Sequence, residues 1–307
     1  MKKILVATVK PFATQAVEAI KEIFAKAGYE LTILESYKDN EQFLSAVEDT
    51  EAIIIRSDKV TSQVLDRAKN LKIVVRAGAG FDNVDTAYAK EKGVVVMNTP
   101  GQNSNAVAEL AFGMMTYIAR NKFNGKSGTE LRGKTVGIHA FGNVGKFVAQ
   151  IAKGFGMNVI AYDPYVDSKV MTDNGVTPIS TVEELYEKSD YLSLHLPKIK
   201  ATLGFVNYSL MSKMKKGATL VNTARKEVVH EADLLKIFAE RDDLKYLSDI
   251  APDCKAELME KYPNRCFFTP KKMGAQTIEA NINAGAAAAN QIVNYLENGD
   301  TTFQVNK

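Results

Sequence analysis

The chain has 307 residues, of which 46% are hydrophobic and 24% charged, and its formal net charge is +3. This length predicts about two domains, each with enough apolar side chains for its own core. So small a net charge argues against nucleic-acid or membrane-surface binding, and no apolar run reaches the length of a membrane span. The two cysteines, Cys254 and Cys266, form no disulfide framework and no metal-ligand spacing, so a reducing cytoplasm is the expected compartment.

Residues 1–98 alternate short apolar runs with amphipathic stretches. The apolar runs predict strands over 4–8, 31–34, 52–56, 71–76 and 94–98, and the stretches between them predict helices over 14–27, 42–48 and 61–70. Thr61 is suited to cap the third of these helices. Because the runs are apolar on both faces, they are typical of buried strands in a parallel sheet.

The remainder of the chain shows the same alternation. A long apolar helix is predicted over 105–120 and a polar link over 121–130, followed by strands at 136–138, 159–162, 191–195, 219–222 and 245–249. An alanine-rich helix over 281–298 is suited to pack against the 105–120 helix and to return the chain to the first domain. The sequence therefore predicts an α/β protein of two doubly wound parallel sheets, with residues 99–280 as a nucleotide-binding domain and residues 1–98 and 281–307 as a substrate domain.

The stretch from Lys134 to Asp163 has the order strand, glycine-rich turn, helix, strand and acidic residue, which is that of a dinucleotide-binding βαβ unit. Gly142 leaves room for the backbone to approach a pyrophosphate, and Gly145 lets the helix pack closely on the strand. The N–H groups at the start of the helix would bind the phosphates. Asp163 would accept hydrogen bonds from a ribose diol and repel a 2′-phosphate, so NAD is favoured over NADP.

One position departs from the pattern G-x-G-x-x-G. The first glycine is Ala140, so the motif reads A-F-G-N-V-G. Alanine is tolerable there if the turn keeps a negative φ. Glycine-rich turns also occur by chance between strands and helices, so the complete βαβ context is what favours a dinucleotide site.

Arg56 and Arg76 each stand at the end of a predicted strand in the first domain. Ligands of open parallel sheets lie at the carboxyl ends of the strands, and guanidinium groups there suit a carboxylate or a phosphate. The loop through Gly78 and Gly80 would offer backbone N–H groups to a small carboxylate. The alternative is that both arginines close ordinary surface loops.

In the second domain, Arg225 and Asp249 follow two further predicted strands. An arginine that orients a keto acid and an aspartate beside a nicotinamide are both expected at such a crevice, although either could be a solvated loop charge. Of the three histidines, His139 is predicted to lie in the core, His195 to line the cofactor pocket without doing chemistry, and His230 to lie on the surface.

Taken together, these residues resemble the D-isomer-specific 2-hydroxyacid dehydrogenases. The matching words are IIIRSDKVT (53–61), VVRAGAGFDNVD (74–85), VVVMNTPGQNSNAVAEL (94–110), GTELRGKTVGIHAFGNVGK (128–146), GMNVIAYDP (156–164), LHLP (194–197), LVNTARKEVVHEADLL (220–235) and MGAQTIEA (273–280). They cover essentially the whole chain in order. The resemblance implies a flavodoxin-like substrate domain formed by both chain ends, a Rossmann NAD domain inserted into it, and homodimers built through the NAD domains.

Carried over position by position, the resemblance also implies which residues act. Arg225 matches the family's catalytic arginine, which binds the carboxylate and carbonyl of the substrate, and the substrate side is matched by Arg56, Arg76, Ala77 and Gly78. NAD is the implied cofactor. The implied cofactor contacts are Ala79, Gly142, Asn143, Val144, Gly145, Asp163, His195, Leu196, Pro197, Thr223, Ala224, Arg225, Asp249, Lys272, Gly274 and Ala275.

Two departures from the family pattern concern the acid/base group. The family's catalytic histidine is missing, and counting back from Gly274 places Lys272 at its position, with Lys271 next to it. The glutamate that partners this histidine falls on Cys254, beside Asp253. On composition alone, a pair of lysines in a loop would be solvated.

These two departures are consistent with each other. A glutamate beside a lysine would raise a pKa that is ordinarily about 10.4, which is the wrong direction for an acid/base group. An acid/base lysine needs burial and positive neighbours, which Arg225 and a nicotinium ring would provide. We therefore expect Lys272 to be the general acid/base, with Lys271 as the alternative, and whether Asp253 replaces the glutamate stays open.

A third departure is the link between Arg120 and Gly128, which is shorter than in most relatives and contains no tryptophan. The segment that is absent normally lies near the substrate and the dimer contact, so the source of a third phosphate contact stays open. We also expect no regulatory domain beyond Lys307, and hence no inhibition by serine through such a domain.

The function that the resemblance implies is NAD-dependent oxidation of D-3-phosphoglycerate to 3-phosphohydroxypyruvate, the first step of phosphorylated serine biosynthesis. The pair Arg56 and Arg76 favours a phosphorylated substrate over those of sibling glyoxylate or hydroxypyruvate reductases. A further alternative is a non-catalytic NAD-sensing protein, which the retained Arg225 and the chemically sensible lysine disfavour. No nucleic acid, membrane or metal is expected as a partner.

Overall fold

The computed structural model describes residues 1–307, and the chain divides into two compact units. The first unit is formed by Met1–Asn103 and Gln276–Lys307, and the second by Ser104–Ala275, so the second is inserted into the chain of the first. None of the helices combines the length and the apolar character needed to cross a membrane.

Strands and helices alternate through both units. The strands are β1 Lys3–Thr8, β2 Glu30–Glu35, β3 Ala52–Ile55, β4 Ile73–Arg76, β5 Val95–Asn98, β6 Thr135–His139, β7 Asn158–Tyr162, β8 Thr177–Pro178, β9 Tyr191–Leu194, β10 Thr219–Asn222, β11 Lys245–Ser248 and β12 Cys266–Phe268. The helices are α1 Thr14–Lys26, α2 Asn40–Ala46, α3 Ser62–Arg67, α4 Thr86–Glu91, α5 Ser104–Ala119, α6 Asn143–Gly154, α7 Ser168–Asp173, α8 Val182–Lys188, α9 Tyr208–Ser212, α10 Glu231–Glu240, α11 Lys255–Lys261 and α12 Ile278–Asn298.

The first unit contains a five-stranded sheet in the order β2-β1-β3-β4-β5, with every neighbouring pair parallel. This is the flavodoxin-like order, which confirms the expected substrate-domain architecture. All four residues of β3 are buried, because the sheet is covered on both faces.

The second unit contains a seven-stranded parallel sheet in the order β12-β11-β10-β9-β6-β7-β8. The strand order reverses at β6, which gives the doubly wound Rossmann arrangement and confirms the predicted fold class. The edge strands β8 and β12 were not expected from sequence, because they have only two and three residues. All these strands end at one edge of the sheet, where ligands of such folds bind.

Helix α12 packs against α1 through small residues. A Cβ on Gly285 would stand 3.1 Å from Cδ1 of Ile20, and Ala284 and Ala288 on the same face are buried. Fully burying a side chain such as Ile20 contributes about 1.5–3 kcal/mol. The alanine-rich sequence of α12 is therefore explained by close approach to α1, whereas α5, its expected partner, packs against α6 in the other unit.

Most predicted elements begin and end within two residues of those observed, and two differ more. The helix predicted over 61–70 ends at Arg67, because Ala68 leaves the helical conformation with a ψ of 70°. Thr61 precedes that helix but its side chain makes no capping hydrogen bond. The last helix begins at Ile278 rather than 281, because the side chain of Thr277 caps it there.

Candidate active site

The predicted cofactor residues of the second unit lie at the carboxyl edge of the seven-stranded sheet, whereas Ala79 follows β4 in the first unit. Parallel strands bring their carboxyl ends together, and each group of residues lies in a segment that follows one of the strands. These segments contain Gly142–Gly145 after β6, Asp163 after β7, His195–Pro197 after β9, Thr223–Arg225 after β10, Asp249 after β11, and Lys272–Ala275 after β12. The sheet topology therefore gathers residues that are distant in sequence.

The glycine-rich turn forces Ala140 into the left-handed region, with a φ of 79°. The condition that this residue keeps a negative φ is therefore not met. The N–H of Ala140 donates to the carbonyl of Tyr162, at 3.0 Å, so the chain must turn sharply between this hydrogen bond and the start of α6. A left-handed residue other than glycine costs on the order of 1–2 kcal/mol.

Gly145 and Gly142 have different structural roles. A Cβ on Gly145 would lie 2.7 Å from the carbonyl oxygen of Ala140 and 3.1 Å from Cγ2 of Ile138, so only glycine lets α6 pack this closely on β6. A Cβ on Gly142 would meet no atom within 4 Å. Gly142 directly precedes α6, so open space borders the N–H groups at the start of the helix.

Both carboxylate oxygens of Asp163 accept a hydrogen bond from the backbone. Oδ2 accepts from the N–H of Phe141 at 2.8 Å, and Oδ1 accepts from the N–H of Tyr165 at 2.9 Å. The carboxylate therefore joins the glycine-rich turn to the segment after β7. Each oxygen still has a lone pair with which it could accept from a ribose hydroxyl.

Asn222, which sequence reasoning missed, shapes the turn that carries Arg225. Its Oδ1 accepts from the N–H of Ala224 and its Nδ2 donates to the carbonyl of Arg225, both at 3.0 Å. Arg225 is half-buried, and its Nη1 donates to the carbonyl of Ala224. The hydroxyl of Thr223 is buried without a hydrogen-bond partner, which is the state expected of a group that a bound cofactor would satisfy.

Asp249 is 1% exposed, and its carboxylate faces the segment after β12. Oδ1 accepts from Oγ1 of Thr269 at 3.0 Å and from the N–H of Met273 at 2.7 Å, and Oδ2 accepts from the N–H of Gly274 at 2.9 Å. Within this segment Lys271 and Lys272 are exposed. The protein therefore does not bury Lys272 as expected. It instead holds the backbone of this segment through the hydrogen bonds to Asp249.

Glu231, which sequence reasoning also missed, binds the backbone at the position of the family's glutamate. Its Oε1 accepts from the N–H of Asp253 and its Oε2 from the N–H of Cys254, both at 2.9 Å. Burial, together with this carboxylate, raises the pKa of the Cys254 thiol to about 12. The side chain of Asp253 is 78% exposed and pairs with Lys226, which disfavours Asp253 as a substitute for the glutamate.

His139 and His195 are neutral at neutral pH. His139 is buried with its Nδ1 3.2 Å from the hydroxyl of Tyr186, and burial lowers its pKa to about 4. Burial and the nearby His139 lower the pKa of His195 to about 3, and its Nε2 lies 2.9 Å from Oγ of Ser193. His230 is exposed at the start of α10. The predicted core position of His139 and surface position of His230 are confirmed.

In the first unit, Arg56 follows β3 and Arg76 ends the neighbouring β4. Nη1 of Arg56 donates to the carbonyls of Lys10 at 3.1 Å and Pro11 at 2.7 Å, and its guanidinium lies over the ring of Phe12. One nitrogen of this guanidinium therefore holds the loop after β1.

Arg76 lies across Gly78. Gly78 has a φ of 144°, which favours glycine, and a Cβ there would stand 1.7 Å from Nη1 of Arg76, so a side chain at this position would displace the guanidinium. Nε of Arg76 also donates to the carbonyl of Arg56, at 3.0 Å. The N–H of Ala77 donates to the carbonyl of Ile55 at 2.8 Å, so that amide is used within the sheet edge.

Asp58 joins the ends of three strands in the first unit and was not anticipated. Its Oδ1 accepts from the N–H of Val9 and the hydroxyl of Tyr37, at 2.7 and 2.8 Å, and its Oδ2 accepts from the N–H of Arg56 at 3.3 Å. Burial lowers the pKa of Arg56, and the charge of Asp58 opposes that shift. The buried carboxylate of Asp58 therefore stabilises the charged guanidinium of Arg56.

Comparisons with known proteins agree with this fold and indicate a family. The family model for the NAD binding domain of D-isomer specific 2-hydroxyacid dehydrogenases matches residues 105–264. A crystal structure of NAD+-bound 3-phosphoglycerate dehydrogenase from Entamoeba histolytica is 45% identical with a TM-score of 0.91, covering 100% of this chain and 99% of that one. Hydroxypyruvate reductase of Thermotoga maritima is 35% identical over 87% of this chain and 92% of its own length.

A further relative is longer than this chain. D-3-phosphoglycerate dehydrogenase of Methanocaldococcus jannaschii is 35% identical over 83% of this chain, and the match spans 52% of that protein. The chain thus corresponds to about half of this relative.

The chain belongs to the D-isomer specific 2-hydroxyacid dehydrogenase family. It is an NAD-dependent oxidoreductase whose NAD-binding domain lies within the second unit. The residues present fit the cofactor, because the approach at Gly142 is open and the buried hydroxyl of Thr223 lacks a partner. Asp163 in turn has acceptor capacity for a ribose.

Proposed function

We propose that this protein oxidises D-3-phosphoglycerate to 3-phosphohydroxypyruvate with NAD, the first step of phosphorylated serine biosynthesis. The observation that carries the proposal is the pair of arginines at adjacent strand ends, where Gly78 is kept without a side chain so that Arg76 can lie across it. Planar guanidinium groups suit phosphate and carboxylate oxygens. The similarity to the phosphoglycerate dehydrogenase of E. histolytica supports the same substrate.

In this proposal each residue has a distinct role. Arg56 and Arg76, with the amide of Gly78, bind the anionic groups of the substrate. Arg225 binds the substrate carboxylate and polarises the oxygen on C2, and Asn222 keeps the turn of Arg225 in place.

Lys272 accepts the proton of the C2 hydroxyl during oxidation and returns it during reduction, with Lys271 as the alternative. NAD, when bound, accepts the hydride that leaves C2. Because a lysine loses its proton at a higher pH than a histidine, the oxidation rate should rise at more alkaline pH than in relatives with a catalytic histidine.

A second candidate is reduction of hydroxypyruvate or glyoxylate. The T. maritima relative is named a hydroxypyruvate reductase and matches over 92% of its length. In addition, Nη1 of Arg56 already donates to the carbonyls of Lys10 and Pro11, which leaves fewer donors on that arginine for a phosphate.

Oxidation of NADH with 3-phosphohydroxypyruvate, hydroxypyruvate and glyoxylate at equal concentration separates the candidates. We expect kcat/KM to be at least about tenfold higher for the phosphorylated substrate, a difference of about 1.4 kcal/mol in transition-state binding. Arg76→Ala should abolish that preference. Equal or better use of hydroxypyruvate by the wild type would identify the reductase instead.

The lysine pair is tested in the same assay. Lys272→Ala should lower kcat by roughly 10²–10⁴-fold, the usual contribution of a general acid/base group, and Lys271→Ala should retain most of the activity. Near-normal turnover of Lys272→Ala would rule out its role. The reverse pattern would assign the proton transfer to Lys271.

We also propose that the protein is a homodimer formed through its NAD-binding units and that it works in a reducing cytoplasm, where Cys254 and Cys266 would stay as thiols. Light scattering over a range of micromolar concentrations tests the oligomeric state. A mass near the 33.7 kDa of one chain throughout that range would contradict the dimer.

A further inference from the structure

One side chain holds both ends of the segment that carries the two lysines. At its start, the single hydroxyl hydrogen of Thr269 is shared between Oδ1 of Asp249, at 3.0 Å from Oγ1, and the carbonyl oxygen of Asp249, at 2.6 Å. At its end, the N–H groups of Met273 and Gly274 donate to Oδ1 and Oδ2 of the same carboxylate, at 2.7 and 2.9 Å. The residues between these anchors, including the lysines, are exposed.

The anchoring carboxylate is itself rigidly placed. Asp249 is 1% exposed and Thr269 is 4% exposed. The N–H of Asp249 donates to the carbonyl of Asn222 at 3.0 Å, which ties it to the end of β10. Hydrogen bonds to an ionised carboxylate are about twice as strong as neutral ones, so these three donors hold the segment firmly.

Gly274 is part of the same arrangement. A Cβ at this position would lie 3.0 Å from Oδ2 of Asp249 and 3.2 Å from Cγ2 of Val107. A side chain would therefore push the Gly274 N–H away from the carboxylate. The close approach of this backbone to Asp249 explains why glycine stands here.

We infer that Asp249 is a positioning residue for the acid/base lysine, acting through the backbone of residues 269–274. The anchored N–H of Met273 belongs to the peptide bond that joins Lys272 to Met273, whereas Lys271 lies one residue further from an anchor. The restraint therefore acts most directly on Lys272. The consequence for catalysis rests on the proposed function, in which Lys272 transfers the proton.

The test is Asp249→Asn, which keeps the shape of the side chain but turns one acceptor into an N–H donor facing backbone donors. Hydrogen–deuterium exchange across residues 269–275 should become at least about tenfold faster, since a charge-assisted anchor is lost. We expect kcat to fall by about tenfold or more, while the KM for the 2-oxo acid changes by less than about threefold.

Asp243→Asn is the matched control. Asp243 also accepts a hydrogen bond from a backbone N–H, that of Gly217 at 2.6 Å, but it lies before β11 rather than after it. This variant should leave exchange across residues 269–275 and kcat at wild-type values. Faster exchange there in both variants would show a general loosening of the domain and would overturn the inference.

Unchanged exchange across residues 269–275 in Asp249→Asn would also overturn the inference, because Asp249 would then not hold the segment. If Asp249→Asn does not fold, Thr269→Val removes only the hydroxyl donor, and Thr269→Ser restores it; exchange should be faster in the valine variant and normal in the serine variant. Equal exchange rates in Thr269→Val and Thr269→Ser would also contradict the inference.

The same measurements keep the two proposals apart. A wild-type protein without activity on any of the three 2-oxo acids would refute the proposed function. The exchange rates in Asp249→Asn and Asp243→Asn would still decide whether Asp249 holds the segment.

Discussion

The position that a Cβ would take on Gly145 lies 2.7 Å from the carbonyl oxygen of Ala140. The first and last positions of the motif A-F-G-N-V-G are therefore packed against each other, which brings the start of α6 onto the end of β6. This close contact constrains both residues. Gly145 satisfies it without strain, whereas Ala140 adopts a φ of 79°.

Ala140→Gly should stabilise the protein. It relieves about 1–2 kcal/mol of left-handed strain, and the greater freedom of glycine in the unfolded chain offsets about 0.5–1 kcal/mol of that gain. We expect the free energy of unfolding in urea to rise by up to about 1.5 kcal/mol. Ala149→Gly, inside α6, should lower it by about 1 kcal/mol or more, since glycine is unfavourable within a helix. A loss of stability in Ala140→Gly would show that Ala140 is not strained.

Gly142→Ala and Gly145→Ala should separate cofactor binding from folding. A methyl group at position 142 meets no protein atom, so Gly142→Ala should fold normally but bind NADH at least about tenfold more weakly, because the pyrophosphate can no longer approach the backbone. A methyl group at position 145 meets the carbonyl of Ala140, so Gly145→Ala should lower stability by about 1–3 kcal/mol. Thermal unfolding and NADH titration measure the two effects, and equal NADH affinity in Gly142→Ala and wild type would refute the assigned approach.

Gly78→Ala should displace Arg76. The added Cβ would stand 1.7 Å from its Nη1, so we expect KM for the phosphorylated substrate to rise by at least about tenfold. Gly93→Ala is the control, because Gly93 also has a positive φ, of 70°, but a Cβ there meets no atom within 4 Å. Both variants carry backbone strain, and only Gly78→Ala should alter KM. The same KM in both would show that the position of Arg76 does not matter for substrate binding.

The stability of the protein should fall in mild acid because of His139. Burial lowers the pKa of His139 from 6.5 to about 4, so between these pH values the unfolded chain binds a proton that the folded protein does not. The contribution to stability is complete above pH 6.5 and decreases as the pH falls towards 4, by on the order of 3 kcal/mol at most.

Urea unfolding of the wild type and of His139→Gln from pH 7.5 to 4.5 measures this contribution. The decrease should be smaller in the variant, with a remainder from His195, whose pKa is lowered to about 3. Parallel curves for wild type and His139→Gln would contradict the assignment.

Much of the fold could be predicted from sequence because it depends on local patterns. The apolar runs of β3 and β10 and the periodic helices α1 and α6 identify their own elements, and their alternation identifies parallel sheets. The shortest strands, β8 and β12, could not be predicted, since two or three residues form no recognisable pattern. The helix predicted to end at residue 70 ended at Arg67, where no glycine or proline marks the boundary.

Some residues of the candidate site could likewise be predicted from local patterns, and others could not. Gly142, Gly145 and Asp163 stand in a local order that indicates a dinucleotide site, and the words shared with a known family extend that order over the chain. Asp58, Asn222 and Glu231 were missed, because a polar residue near a strand or helix end has many roles and its partner cannot be read from neighbouring residues.

The sequence by itself determined the fold class, the NAD-binding motif and the replacement of the family's histidine and glutamate, since each depends on residue type and order along the chain. Only the tertiary structure decided that Ala140 is left-handed and that both lysines are exposed. It also decided that the carboxylate of Asp249 binds a segment more than twenty residues later in the chain. Such features depend on which strand ends meet at the sheet edge, and that is fixed by long-range packing rather than by local pattern.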